Sequence, residues 1–167
     1  IWPDKRSSEG ITHWRRVHLY PNGDIIAINE EIGMIKLDKD SNLLWSFRQR
    51  NTHHHLQVDD SGNIYVLTLK MSFAPEINVK RGVNLDFITI LNPYLEIIDE
   101  ISLLQAFQDS PYADILKKAP KRGEIFHTNT LQIFDGTLAH ISPFFRKGNI
   151  LIASLFINTI AIVDLEK

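Results

Sequence analysis

The chain has 167 residues, 44% of them apolar and 23% charged, with 18 basic against 20 acidic side chains and a formal charge of −2. That balance excludes the basic footprint of a nucleic-acid binder, and no apolar run nears the roughly 18 residues a bilayer-spanning helix needs. Cysteine is absent, so disulfides and thiolate sites are excluded and the redox compartment stays open.

In chain order the predicted elements are short strands rich in Ile, Val, Leu and aromatics, punctuated by turn residues. The first group runs Val17–Leu19, then a turn at Pro21, Asn22 and Gly23, then Ile25–Ile28, Gly33–Leu37 and, past an Asp38–Asn42 turn, Leu43–Phe47. The second runs Leu56–Val58, a turn at Asp59–Gly62, Ile64–Leu67, Phe87–Leu91 and, past Asn92, Pro93 and Tyr94, Leu95–Ile98. The third runs Leu131–Ile133, Ile150–Ile152 after Gly148, and Thr159–Val163. Turns this short make neighbouring strands antiparallel.

Gly23 and Gly62 are 62 − 23 = 39 residues apart, near the roughly 40–45 residue period of a propeller blade. The predicted fold is therefore all-β: a β-propeller fragment of about three four-stranded antiparallel blades. The boundaries are a blade over 14–48, a blade over 53–102, a helical insertion over 103–124 and an incomplete blade over 125–167. Helix is expected mainly in 103–118. Excursions at 70–85 and 135–147 break the period as well. The chain opens at Ile1 without an initiator Met or a signal peptide, and Asp164 stands where a turn into a fourth strand is expected. It reads as a piece of a longer protein, exposing sheet edges that further blades would cover.

Two polar strand heads are the candidate site. His53, His54 and His55 precede Leu56 and Val58, and His127, Thr128 and Asn129 precede Leu131 and Ile133. Matching Leu56 to Leu131 sets His54 opposite Asn129 and Thr52 opposite His127. Strand alternation then gives His54, Leu56 and Val58 one face, and His127, Asn129, Leu131 and Ile133 one face. First strands of blades line a common channel, so His54, His127 and Asn129 are expected at one mouth, with His53 nearby.

The competing reading makes His53–His55 a polar loop end and Asn129 a turn cap. A metal is a third reading, but without Cys or an HExxH pattern no metal is expected. His13, His18 and His140 read as surface or packing residues, Trp14 and Trp45 as packing between blades, and Asp38 and Asp164 as turn residues. Arg15, Arg16, Arg48, Arg50, Arg81, Arg122 and Arg146 are all candidates to bind an anion, and spacing singles out none.

From Trp14 to Asp164 the chain resembles the arylsulfotransferase family, bacterial six-bladed propellers usually exported from the cytoplasm. The resemblance is carried by His53 and His54 before Gln57–Leu67, by His127 and Asn129, and, less specifically, by the run Gly33–Trp45. It implies transfer of a sulfuryl group from an aryl sulfate to a phenolic acceptor through a histidine intermediate, without a cofactor. It also implies a periplasmic or otherwise extracytoplasmic location, with small-molecule aryl sulfates and phenols and the remaining blades as partners. His53, His54, His127 and Asn129 take the part of sulfuryl-oxygen stabilisers or proton carriers. The family's sulfur-attacking histidine falls in a later blade, so the chain alone is expected to be inactive. Two positions depart from the family: His55 where an Asp is frequent, and Phe156 where an Arg is common. The alternative is a non-catalytic propeller that binds a ligand or a protein.

Overall fold

The computed structural model describes residues 14–30 and 32–165. The predicted role of His13 lies outside them. The fold is all-β, with three antiparallel sheets in chain order.

The first sheet holds β1 (Trp14–Leu19), β2 (Ile25–Asn29), β3 (Gly33–Leu37) and β4 (Leu43–Phe47). The second holds β5 (Asn51–Val58), β6 (Ile64–Ser72), β7 (Val83–Leu91) and β8 (Ile97–Ser102). The third holds β9 (Thr128–Ile133), β10 (Ile150–Ser154) and β11 (Thr159–Val163). Each is a simple meander, ordered as the chain runs.

One local device makes three of the hairpins alike. The side-chain oxygen of Asp38, Asp59 and Asn92 accepts backbone N–H groups two and four residues on: Asp40 and Asn42, Ser61 and Asn63, Tyr94 and Glu96. An Asx side chain that mimics a backbone turn in this way fixes the chain reversal. The third residue after each takes a left-handed backbone, at Ser41, Gly62 and Leu95. Gly62 meets that demand without a Cβ penalty, whereas Ser41 and Leu95 are held in it by the paired strands on either side.

Two apolar layers separate the sheets. Ile26, Ile28, Met34 and Phe47 of the first sheet pack with Leu56, Ile64, Val66 and Leu91 of the second. Leu67, Ile88 and Ile90 of the second pack with Leu131, Ile150 and Ile152 of the third. Alternation along β6 sends Val66 to one layer and Leu67 to the other, so the second sheet is buried on both faces.

The predicted insertion holds α1 (Leu103–Gln108), capped by Ser102, and a 3₁₀ turn over Ala113–Lys118. Leu103, Leu104 and Phe107 join the second layer. A further 3₁₀ turn, Pro143–Phe145, lies in the 135–147 excursion.

Three expectations need correction. The excursion predicted over 70–85 is only 73–82, because β6 and β7 stay paired through Lys70↔Leu85, Met71↔Asn84 and Ser72↔Val83. β5 starts at Asn51, two residues before the predicted boundary. Trp14 is about half exposed, since β1 is open along nearly its whole length, while Trp45 does pack on the first layer. Among the described residues no helix is long and apolar enough to cross a membrane.

Candidate functional site

The first strands β1, β5 and β9 lie side by side, and each departs from regular pairing at its head. In β1, Arg15 and Arg16 stand opposite Ile28 alone, between the pairs Trp14↔Asn29 and Val17↔Ala27. In β5, His53, His54 and His55 stand opposite Leu67 alone, between Thr52↔Thr68 and Leu56↔Val66. In β9, Asn129 is the extra residue between Thr128↔Ser154 and Thr130↔Ala153. Bulges re-aim side chains, and here all three contain the polar residues.

The pairing corrects the predicted match between the strands. Thr52 is equivalent to Thr128, not to His127, because each pairs with the hydroxyl residue at the same rung, Thr68 and Ser154. Simple alternation fails for the same reason. His54 and His127 both adopt a left-handed backbone, with φ of 48° and 52°. In a regular strand, neighbours such as His53 and His54 point to opposite faces. The bulge instead brings their Nδ1 atoms to 3.0 Å.

The result is a compact histidine cluster. The His53 ring meets His54 edge-on at 5.2 Å between centroids, and His54 meets His127 edge-on at 4.7 Å. Of the facing Nδ1 atoms of His53 and His54, one carries the hydrogen and the other accepts it. His54 Nδ1 also lies 3.5 Å from Glu30 Oε1, and Glu30 Oε2 is held by Arg15 at 2.8 Å. His127 Nδ1 is hydrogen-bonded to Glu124 Oε2. A chain of contacts therefore runs Arg15, Glu30, His54, His127, Glu124, crossing from the first sheet to the third.

Burial keeps the β5 imidazoles neutral. Desolvation, then repulsion from a charged His54 or His127, lowers His53 to about 3. His54 is lowered too, mainly by desolvation against the raising effect of Glu30. His55, near Arg16, falls to about 4, again mainly by desolvation. A neutral imidazole keeps a lone pair and can attack an electrophile or take a proton.

The head of β9 is pinned by β7. Asn84 N–H donates to the Gly123 carbonyl at 2.8 Å, and Ile125 N–H donates to the Asn84 carbonyl at 3.3 Å. Two residues along, the fully buried Asp86 accepts the Thr128 N–H at 2.8 Å. From the other side, Leu155 and Phe156 N–H groups donate to the carbonyls of His127 and Phe126. Desolvation raises the Asp86 carboxyl to about 6, against the lowering by Thr128. Asn29 Oδ1, Thr52 Oγ1, His53 Nε2, His55 Nδ1 and Asp86 Oδ1 are buried without a protein partner. So many orphaned polar atoms on and beside the bulged strand heads are an expense that a purely structural strand head would avoid.

His127 opens onto a basin of about 670 Å³ lined by Asn84, Arg122, Glu124 and Phe156 among others. The Phe156 ring lies 4.9 Å from that of His127, tilted by 31°. Asn129 lines a different depression of about 440 Å³ with Ser154, Leu155 and Asn158. The structure thus brings together His53, His54 and His127, while Asn129 lines the neighbouring depression.

Other candidates have structural work. His18 packs edge-on against Tyr20, and His140 Nδ1 lies 3.0 Å from the Thr137 carbonyl. Arg50 pairs with Glu100, and Asp164 pairs with Arg146 instead of serving only a turn. Sequence reasoning missed Glu30, Glu124 and Asp86. Asp86 had a signal, a lone carboxylate inside the apolar run Val83–Leu91, and Glu124 had its spacing of three from His127. Among the described residues no group of three or more His, Asp or Glu is arranged to hold a metal ion.

No family model matches the chain. A search of curated proteins gives no significant match either.

Proposed function

We propose that the three sheets are consecutive blades of an arylsulfotransferase-like β-propeller, which moves a sulfuryl group from an aryl sulfate to a phenol outside the cytoplasm. One observation carries the reading: His53, His54 and His127 converge from the heads of two strands in neighbouring sheets. The β5 imidazoles, kept neutral by burial, suit a reaction in which sulfur is attacked by nitrogen and phenolic protons must move. In the resemblance the sulfur-attacking histidine belongs to a later blade. His54 and His127 then serve as neighbours that steady sulfuryl oxygens or carry protons, and Asn129 acts from the adjoining depression.

A second reading, a non-catalytic propeller that binds an aromatic ligand, draws on Phe156. Its ring covers His127 where the family resemblance calls for an arginine, and a phenyl ring cannot make charge-assisted hydrogen bonds to a sulfate.

The test is to add a chromogenic aryl sulfate, with and without a phenol, to the 167-residue chain and follow both turnover and histidine ring resonances. The expected result is perturbation of His54 and His127 by the aryl sulfate, its loss in His127→Ala, and no turnover. Rings that respond to the phenol but never to the sulfate ester favour the binder. Rings that respond to neither overturn both readings, and turnover by this chain alone overturns the placement of the nucleophile.

A further inference from the structure

We infer that Glu124 is a positioning residue that fixes His127 as the proton-accepting base of this site. The inference rests on the sulfuryl-transfer reading only for the identity of the hydroxyl that gives up the proton.

The geometry begins with the backbone. Glu124 lies in the single bridge Asn84↔Glu124, which joins β7 to the segment before β9. Both residues flanking it are tied to Asn84, and Thr128 is tied to Asp86 two rungs further along the same strand. β7 therefore holds residues 123–128 at both ends. Phe126 and Ile125 are fully buried between these ties, which leaves His127 little freedom to turn. A left-handed backbone at a non-glycine residue persists only where its surroundings over-determine it.

Within that frame the Glu124 carboxylate sits against Nδ1 of His127, with about a quarter of each side chain exposed. A carboxylate is acceptor-only, so Nδ1 carries the hydrogen and, in the neutral ring, Nε2 carries the lone pair. The second ring nitrogen is thereby committed to basin chemistry by its partner on the first. Glu30 is placed in the same way toward His54, but at 3.5 Å, and His53 competes for that Nδ1 at 3.0 Å. Among the described histidines only His127 has a carboxylate to itself and a ring on an open basin.

The step this supports is a single proton transfer. An acceptor hydroxyl in the basin loses its hydrogen to Nε2 of His127: the O–H bond breaks, the N–H bond forms, and a phenolate and an imidazolium result. The imidazolium keeps its Nδ1–H on Glu124, whose carboxylate stays ionised and offsets the new charge. In the reverse half-reaction the same Nε2–H returns to a departing phenolate. Phe156, 4.9 Å from the imidazole, offers a flat apolar wall for the ring that bears the hydroxyl.

The experiment needs no substrate. Nitrogen-15 spectra of the histidine side chains in the 167-residue chain report which ring nitrogen of His127 is protonated in the neutral form. The expected result is a dominant Nδ1–H tautomer. It is retained in Glu124→Asp and lost in favour of Nε2–H in Glu124→Ala, with the dominant His54 tautomer unchanged in both. The methyl resonances of Leu131 and Ile152 serve as the folding check. A dominant Nε2–H tautomer in the unmodified chain, or an unchanged tautomer ratio in folded Glu124→Ala, overturns the inference. Because the readout is independent of aryl sulfate, its outcome stands whether or not sulfuryl transfer is found.

Discussion

The heads of β5 and β9 occupy the same rung of neighbouring sheets, yet they hold their histidines by different means. At β5, three residues arch out opposite one, and His53 is 1% exposed with Nε2 unpartnered. Burial, more than any partner, governs its charge. At β9 the bulge is a single residue, and the segment before it is tied to β7 by backbone hydrogen bonds and by Asp86. One head is held by packing and desolvation, the other by specific polar partners. Two imidazoles 4.7 Å apart are therefore held by different means, yet close enough to influence each other's charge.

The comparison breaks first at the apolar anchors behind the heads. Leu56 and Leu131 are both essentially inaccessible, so Leu56→Ala and Leu131→Ala are each expected to cost about 2–5 kcal/mol in urea unfolding. A large difference between them would show that the two heads are not equivalently supported.

Asp86→Ala should separate the heads. It strands the Thr128 N–H in a buried place, at a cost of about 1–3 kcal/mol. Amide exchange should quicken at Thr128 and leave Thr52 unaffected. Equal quickening at both would make Asp86 a general core residue rather than a β9 tie.

Acid should move the two heads in opposite directions. His53 is lowered from 6.5 to about 3, so its contribution is complete above pH 6.5 and drains away as pH falls toward 3. Asp86 is raised from 3.8 to about 6, so its contribution is complete below pH 3.8 and is lost as pH rises through 6. His53→Phe removes the buried titrating ring, its unpartnered Nε2 along with its contact to His54. It should be close to neutral at pH 7 and should gain on the unmodified chain by up to about 1.4 kcal/mol per pH unit below 6.5. Asp86→Asn should show the reverse trend, faring better relative to the unmodified chain at pH 7 than at pH 5. Parallel trends in unfolding midpoints would refute the division of labour.

The smallest effect is expected at the far ends of the same strands. Lys147 reaches Asp60 at 3.4 Å across exposed turns, and Lys147→Ala should shift stability by no more than about 0.5 kcal/mol.

The strands and turns were legible in the sequence because their signals are local. Alternation, the Asx residues at 38, 59 and 92, and the turn glycines act within a few residues, and the meanders follow. The histidine heads were legible too, as polar residues with no use in an apolar strand. Their true register was not. Two strands differ by one residue in how far they bulge, and that depends on Thr68 and Ser154 across the sheet. The predicted match of His54 with Asn129 failed for that reason, since the two bulges differ by one residue. Glu30 escaped notice because its partner His54 is brought to it by sheets meeting in space, whereas Glu124 had a local signal in its spacing of three from His127. Asp86 was hidden because β7 starts four residues earlier than Phe87, where alternation first becomes plain.

The count of extra residues in β5 has a further meaning. Three residues where one belongs is an excess of two, and the side-chain period of a strand is also two. Upstream Thr52 and downstream Leu56 therefore keep the phase they would have in an unbroken strand. The histidines form a loop spliced into the ladder without disturbing its rhythm. Such a segment bulges without shifting the register of the sheet, although burial still restricts what it can contain. The scaffold and its chemistry are written on separate lines of the same strand.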